Sequence, residues 1–179
     1  MDELTTPEGF LLRGWLPSDA SAVLHAFAPP EMDRQTDRPV DDMAGALAWI
    51  GDRTRERGAR TGYSWAVVGE EGEPLGCVAV DAVNRIHDTG WISYWTTGTA
   101  RGRGVATAGV RALARWAFGE LGLYRLEVGH RTDNPASCRV AERSGFALEG
   151  VERGRLRYGQ VRYDLERHAR LADDDVNFD

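Results

Sequence analysis

The sequence contains no lysine, because all 22 of its basic residues are arginine. A Walker A loop needs a lysine to hold the β- and γ-phosphates of a nucleotide. A pyridoxal-phosphate enzyme and a Schiff-base aldolase need a lysine amine to bond their cofactor or substrate. The absence of lysine therefore excludes these three kinds of site.

Cysteine is scarce and long apolar runs are missing. Cys77 and Cys138 are the two cysteines and no CxxC pair occurs, so we expect no structural zinc site and no metal. No apolar run approaches the about 18 residues that a membrane-spanning helix needs. The acidic N-terminal segment lacks the apolar stretch of a signal peptide. We therefore expect a cytoplasmic protein with reduced thiols and no membrane partner.

The chain has 179 residues, which corresponds to one domain at about 150 residues per domain. Its formal net charge of −6 disfavours binding to nucleic acid, which is also negative. We expect a single domain over 1–179 with its core over about 10–168. The acidic segment 172–179 is predicted to be flexible. The sequence does not decide between a monomer and a homodimer.

Strand and helix patterns alternate along the chain, which predicts one mixed α/β domain. Ser18 and Asp41 or Asp42 are predicted to cap two helices, Pro135 to occupy the first position of another, and Gly122 to end a fourth. The predicted helices cover 18–27, 42–57, 105–121 and 135–143. The predicted strands cover 10–16, 63–68, 75–83, 90–97, 124–130, 146–151 and 161–165.

A glycine-rich turn between a strand and a helix spans 98–107. The N-terminus of a helix exposes unpaired N–H groups and a partial positive charge, so such a turn is suited to bind an anion. Gly102 and Gly104 let the backbone approach that anion closely. Arg101 and Arg103 add charge that can bind phosphate in a bidentate way. The turn therefore predicts a phosphate site, although a tight turn with solvated arginines is the simpler alternative.

A dinucleotide-binding fold matches this turn poorly. Thr107 stands where the fingerprint has a third glycine or alanine, and the turn follows a late strand instead of the first. Glu127 lies in the middle of the next strand instead of at its end. This alternative predicts binding of NAD.

The pattern Arg101-x-x-Gly104-x-Ala106 matches the pyrophosphate-binding signature of the GNAT N-acetyltransferases, and the chain resembles that family. The segment Asn134-x-x-Ser137, followed by 145–146, is similar to the RimJ/RimL-like branch that acetylates protein N-termini. The resemblance covers about 10–168. It implies a single GNAT-like domain in which a mostly antiparallel, twisted central sheet splits into a V between flanking helices.

The resemblance also implies that acetyl-CoA is the co-substrate and lies in the split between 90–97 and 124–130. An N–H group near Tyr94 or Trp95 would face the thioester oxygen, and Asn134 would bond the pantetheine arm. The backbone at 95–97 would pair with the same arm. The implied cofactor-binding residues are Trp95, Thr96, Thr97, Arg101, Gly102, Arg103, Gly104, Val105, Ala106, Thr107, Asn134 and Ser137.

The implied reaction is acetyl transfer to a primary amine, which must first lose a proton. Many family members have a tyrosine seven residues after the asparagine to protonate the leaving thiolate, but here that position is Ala141. We therefore expect Ser137 to act near the thiol as a donor or to hold a water molecule. The alternative is that Ser137 only caps its helix. The implied catalytic residues are Ser137, Asn134 and Tyr94.

The sequence does not identify the general base, because Trp91 stands where family members often have glutamate. A water chain needs no single base. Phe27, Trp49 and Tyr158 are candidates to line the acceptor site. Cys138 is interpreted as a packed thiol and the arginines at 153, 155 and 157 as a solvated hairpin. The candidate bases are Asp81, His87, Asp88, Glu127 and His130.

The leading hypothesis is thus an acetyl-CoA-dependent N-acetyltransferase. Its acceptor is a protein N-terminus or a small-molecule amine, and the sequence does not separate the two. The second hypothesis is an inactive module that binds acyl-CoA, which the alanine at position 141 leaves open.

Overall fold

A computed structural model describes residues 3–30, 32, 36 and 38–175. Within these residues the chain forms eight strands and four α-helices. The strands are β1 (Leu4–Thr5), β2 (Leu11–Arg13), β3 (Tyr63–Val68), β4 (Pro74–Asn84), β5 (Thr89–Thr96), β6 (Arg125–Arg131), β7 (Ala147–Tyr158) and β8 (Val161–Leu171). The helices are α1 (Ala20–Phe27), α2 (Met43–Ala59), α3 (Val105–Gly119) and α4 (Pro135–Arg143).

All eight strands belong to one sheet in the order β1-β2-β3-β4-β5-β6-β8-β7. Neighbouring strands are antiparallel except β5 and β6, which are parallel. The parallel pairing runs from Thr89 opposite Arg125 to Ile92 opposite Val128 and stops there. Beyond that point β5 remains paired with β4 only, and β6 remains paired with β8 only. The sheet therefore opens into a V, which confirms the predicted split and mostly antiparallel sheet.

Two hydrophobic cores cover the two faces of the sheet. The helix α3 packs on one face of the sheet. It can approach closely because Gly109 has no side chain, and a Cβ there would lie only 2.8 Å from Val78. The helices α1 and α2 cover the other face around Trp15, Trp49 and Trp95. No helix of the described chain combines the length and the apolar character that a membrane crossing requires.

The start of α1 differs from its prediction. Pro17–Asp19 form a 3-10 turn, and Asp19 is the residue before the helix. The buried Asp19 carboxylate accepts the Leu16 N–H at 2.8 Å and pairs with Arg13 at 2.7 Å. The prediction that Ser18 is the cap is therefore wrong, whereas the prediction that Asp42 caps α2 is confirmed by its bond from the Gly45 N–H.

The last two strands are longer than predicted, and they pair along 147–158 and 161–171. The outer half of β7, residues 152–158, alternates exposed arginines with half-buried positions, of which only Leu156 and Tyr158 are large and apolar, so its strand pattern in the sequence is weak. The end of β8 is polar although it is buried, because it carries His168 and Arg170. The predicted flexible tail begins with an Ala172 N–H that donates to Tyr124 O at 2.8 Å, and 176–179 lie outside the described residues.

Candidate active site

The opening between β5 and β6 forms a groove with a volume of about 830 Å³. The starts of α3 and α4 close its two ends. Thr97 does not line the groove, because its N–H donates to Leu75 O on β4 at 2.9 Å. Arg103 is exposed and does not line it either. The other predicted residues do line it: Tyr94, Trp95, Thr96, Arg101, Gly102, Gly104, Val105, Ala106, Thr107, Asn134 and Ser137.

The turn before α3 has the conformation of an anion cradle. Gly102 and Gly104 have φ angles of +77° and +81°, which L-residues rarely adopt. A Cβ on either glycine would meet no atom within 4 Å, so the space above the turn is open. The Ala108 N–H bonds to Gly104 O at 2.9 Å, and the N–H groups of 105–107 precede the first intrahelical bond. This geometry fits a diphosphate.

The backbone of β5 alternates between the groove and β4. Residues along an antiparallel pair exchange hydrogen bonds at every second position. Because the Thr97 N–H faces β4, the Trp95 N–H also faces β4, opposite Cys77. The Tyr94 and Thr96 backbone groups therefore face the groove. Of the two residues predicted to face a thioester oxygen, only Tyr94 directs its N–H to that side.

The Tyr94 side chain connects the two walls of the groove. Its hydroxyl donates to the Ser137 carbonyl on α4 at 3.1 Å. Burial raises the pKa of Tyr94 to about 12, so the hydroxyl remains a neutral donor. On α4, the Asn134 side-chain oxygen accepts the Ser137 N–H at 3.2 Å. Asn134 thus caps the helix, and the Ser137 hydroxyl does not.

Tyr94→Phe is expected to lower the free energy of unfolding by about 1 kcal/mol, because it removes one hydrogen bond between β5 and α4. Urea denaturation measures this change. Tyr63→Phe is the matched control, since the Tyr63 hydroxyl makes no hydrogen bond within the described chain and its ring packs on Trp116. Equal losses in the two variants would contradict the assigned bond.

A second cavity of about 730 Å³ lies against the same strand and shares Ser93, Tyr94 and Trp95 with the groove. The Ser93 hydroxyl donates to the Asp81 carboxylate at 2.9 Å. Burial raises the pKa of Asp81, and burial also raises the pKa of Glu56 in the same cavity. Three carboxylates thus line this cavity next to the point where the sheet opens, together with two arginines that pair with two of them: Arg38 with Asp52, and Arg53 with Glu56.

Most other candidate bases lie elsewhere. His87 and Asp88 are exposed in the turn between β4 and β5 and line neither cavity. Glu127 is half-buried, pairs with Arg125 at 2.7 Å and lines neither cavity. The ring of Trp91 covers Gly129, where a Cβ would lie 2.8 Å from it. Asp81 is the sequence candidate that the second cavity contains.

Two further sequence candidates are core residues. Phe27 is buried in a cluster with Trp49 and Trp95 and does not line either cavity. Trp49 belongs to the same cluster but lines the second cavity with part of its surface. Ala141 on α4 is buried in the core and does not line the groove.

His130 lines the groove and contacts His168 and Glu166. Its Nε2 atom lies 3.2 Å from that of His168. Neither His168 nor Glu166 is predicted as a site residue from the sequence. The Cys138 thiol donates to Glu166 at 3.3 Å. Burial and the Glu166 carboxylate raise the pKa of Cys138 to about 11, so the thiol is protonated at neutral pH and is a poor nucleophile.

The outer hairpin of β7 and β8 places its arginines in solvent, as predicted. Arg155 pairs with Glu152 at 3.2 Å, and Arg157 donates to Gly159 O at 3.0 Å. Tyr158 instead lines the groove, where its ring lies 5.7 Å from the Arg131 guanidinium. Of the three aromatic candidates, Tyr158 thus faces the groove and not the second cavity.

Curated relatives share about half of the chain. A probable N-acetyltransferase YjcK of Bacillus subtilis is 37% identical over 87 residues, which are 49% of this chain and 48% of that protein. The ribosomal-protein-serine acetyltransferase of Escherichia coli is 29% identical over 104 residues, which are 58% of each chain. The matches thus span about half the length of these relatives.

Solved structures match nearly the whole chain. A crystal structure of a probable acetyltransferase has a TM-score of 0.84 at 25% identity and covers 96% of this chain and 97% of its own. The ribosomal L7/L12 acetyltransferase RimL, in complex with coenzyme A, has a TM-score of 0.86 at 21% identity and covers 97% of this chain and 100% of its own, which shows the same fold. The family description "Acetyltransferase (GNAT) domain" matches residues 10–147. The chain therefore belongs to the GNAT acetyltransferase family.

Proposed function

We propose that the protein transfers the acetyl group of acetyl-CoA to a primary amine within a ternary complex. One observation carries the proposal: two cavities meet at Ser93, Tyr94 and Trp95, one beside a phosphate cradle and the other beside carboxylates. The first suits the thioester and the second suits a cationic amine. Acetyl-CoA supplies an activated acetyl group, and the transfer itself uses no metal.

The groove residues hold the co-substrate. The N–H groups of 105–107 and the arginine at position 101 bind its diphosphate. The Thr96 backbone pairs with the pantetheine arm, and the Asn134 amide bonds the same arm. The Tyr94 N–H donates to the thioester oxygen, where negative charge develops during attack.

Asp81 is the proposed general base, acting through Ser93. The amine gives a proton to the Ser93 hydroxyl as that hydroxyl gives its own proton to Asp81, along the 2.9 Å bond between them. The neutral amine then attacks the carbonyl carbon. The carbon–sulfur bond breaks, and the amine nitrogen loses its second proton. Ser137 relays this proton, because its hydroxyl accepts it while giving its own proton to the departing coenzyme A thiolate.

A protein N-terminus is the acceptor that we favour. An α-amino group has an ordinary pKa of about 7.7–8.0 and a lysine side chain about 10.4, so a carboxylate base removes the proton of an N-terminus more easily. Relatives of this chain are named ribosomal-protein acetyltransferases. An inactive acyl-CoA-binding module is not favoured, because the curated relatives are named as acetyltransferases.

Release of free thiol tests the proposed function. The protein is mixed with acetyl-CoA and, in separate reactions, with peptides that have free or blocked N-termini and with small amines. We expect thiol release with free N-termini and none with blocked ones. Binding of acetyl-CoA without turnover across the panel would support the inactive module instead.

Ser137→Ala is expected to lower kcat about tenfold to a hundredfold and to leave the acetyl-CoA affinity within about twofold, because the hydroxyl acts on the leaving thiolate. Steady-state kinetics and calorimetry measure the two quantities. Asn134 already caps the helix, so loss of folding is not expected. If kcat is unchanged, the hydroxyl has no part in the transfer.

A further inference from the structure

Four side chains with metal-binding atoms converge beside the groove: His130 from β6, Cys138 from α4, and Glu166 and His168 from β8. One ligand atom from each lies within 4.8 Å of all the others. No sequence motif joins them, since they come from three elements. The sequence prediction of no metal rested on the absence of CxxC pairs, which a site of this kind does not need.

The distances between these atoms are close to the edges of a tetrahedron around a metal. The Nε2 atoms of His130 and His168 are 3.2 Å apart. The Glu166 Oε1 atom lies 3.0 Å from His168 Nε2, 3.3 Å from Cys138 Sγ and 3.7 Å from His130 Nε2. Bonds of about 2.0–2.3 Å to zinc give tetrahedral edges of about 3.3–3.6 Å. The remaining two edges, from Cys138 Sγ to the two histidine nitrogens, are at most 4.8 Å, so Cys138 has to move inward by up to about 1.2 Å to complete the set.

Burial and hydrogen bonding orient the ligands. His168 is fully buried, and the His130 side chain is 4% exposed. The His130 Nδ1 atom lies 2.9 Å from the Arg131 carbonyl, which can only accept, so Nδ1 carries the hydrogen. The lone pair of Nε2 therefore points into the cluster. A backbone carbonyl on the second ring nitrogen is the usual support for a metal-binding histidine.

When both imidazoles are neutral, one hydrogen has to serve two acceptors in the cluster. With His130 Nε2 as a lone pair, the His168 Nε2–H faces two acceptors, that lone pair and the Glu166 carboxylate. His168 lacks the support that His130 has, because zinc on its Nε2 atom would place the hydrogen on Nδ1, which is buried without a hydrogen-bond partner in the described part of the chain. A single cation among the four ligand atoms would satisfy His130, Glu166 and Cys138 together.

We propose that His130, Cys138, Glu166 and His168 bind one Zn²⁺ ion in a closed tetrahedral site. Two imidazoles, a thiolate and a carboxylate form a donor set that suits zinc. The thiol gives up its proton to solvent as the zinc–sulfur bond forms. Four protein ligands leave no open position, so the ion holds α4 against β6 and β8 and takes no part in the transfer.

Zinc binding is tested on the full chain without a histidine tag, stripped by chelator and then equilibrated with zinc. Elemental analysis is expected to find one zinc ion per chain. At a free zinc concentration about 100 times its Kd, Tm is expected to rise by about 5–10 °C. Cobalt is expected to give a thiolate-to-cobalt charge-transfer band and tetrahedral d–d bands.

Cys138→Ser and Glu166→Gln are expected to weaken zinc binding at least tenfold. His87→Ala is the matched control, because it removes an exposed histidine and should bind zinc as the wild type does. Substoichiometric zinc in the wild type, or equal binding in all variants, overturns the proposal and leaves a metal-free hydrogen-bonded cluster. If Cys138→Ser does not fold, zinc binding by the near-isosteric Glu166→Gln variant and the cobalt–thiolate band of the wild type test the proposed site instead.

Discussion

Gly104→Val is expected to weaken acetyl-CoA binding about 30- to 150-fold, which corresponds to about 2–3 kcal/mol for the loss of charge-assisted hydrogen bonds. The space above Gly104 holds no protein atom within 4 Å of an added Cβ, so the valine side chain fits the free protein. That space is the proposed position of the diphosphate. The side chain therefore blocks the ligand and leaves the core unchanged. Calorimetric titration with acetyl-CoA measures the effect.

The positive φ of Gly104 adds a second effect that a control must separate. A valine at φ +81° strains the backbone by about 1–2 kcal/mol whether or not a ligand is present. Gly122→Val is the matched control, because Gly122 has φ +67°, has no atom within 4 Å of an added Cβ and lies after α3, at the end remote from the turn. We expect similar losses of stability but normal acetyl-CoA affinity in this variant. Equal affinities in both variants would place the diphosphate elsewhere.

Asp81→Asn is expected to lower kcat about 10²- to 10⁴-fold, the usual contribution of a general base, without weakening acetyl-CoA binding. The amide keeps the shape of the carboxylate and can still accept the Ser93 hydroxyl. Asp88→Asn is the matched control: it makes the same charge change at an exposed position with φ +50°, where asparagine is well tolerated. A normal kcat in Asp81→Asn would show that another group or a water chain removes the proton.

The pH dependence of Asp81→Asn separates a catalytic role from a structural one. Burial raises the pKa of Asp81 above its model-peptide value of 3.8 in the folded state, so the wild type loses stability as the pH rises through the window between the two values. The amide variant has no such loss. We therefore expect a higher Tm than the wild type at neutral pH, together with lower activity, and loss of the acidic limb of the kcat/KM profile. A lower Tm and an unchanged profile would contradict the assignment.

The glycine-rich turn before α3 is the part of the candidate site whose conformation the sequence predicts best. Gly104, at a junction between a strand and a helix, adopts a positive φ that favours glycine. Arg101, Gly104 and Ala106 lie within six residues of one another and match the family's sequence pattern. The start of α4, where Pro135 takes the predicted first helical position, is local in the same way. Each of these depends on residues within a few positions, which is why periodicity and capping rules locate them.

The second cavity and the polar cluster depend on contacts between distant segments. Asp81 meets Ser93 because β4 and β5 pair in one register, and Glu56 reaches the same cavity from α2. Glu166 and His168 lie on a strand whose burial the sequence does not reveal, because the residues are polar. Registers and buried polar strands are set by the whole sheet, so they become visible only in the structure.

Titration calorimetry of the wild type with acetyl-CoA and with the acetyl thioester of pantetheine, which has no phosphates, tests the central claim most directly. If the amides between Gly98 and Thr107 hold the diphosphate, acetyl-CoA binds at least about 100-fold more tightly than the truncated thioester, a difference of about 2.7 kcal/mol. Equal affinities for the two ligands, or no heat with acetyl-CoA on folded protein, would contradict the account.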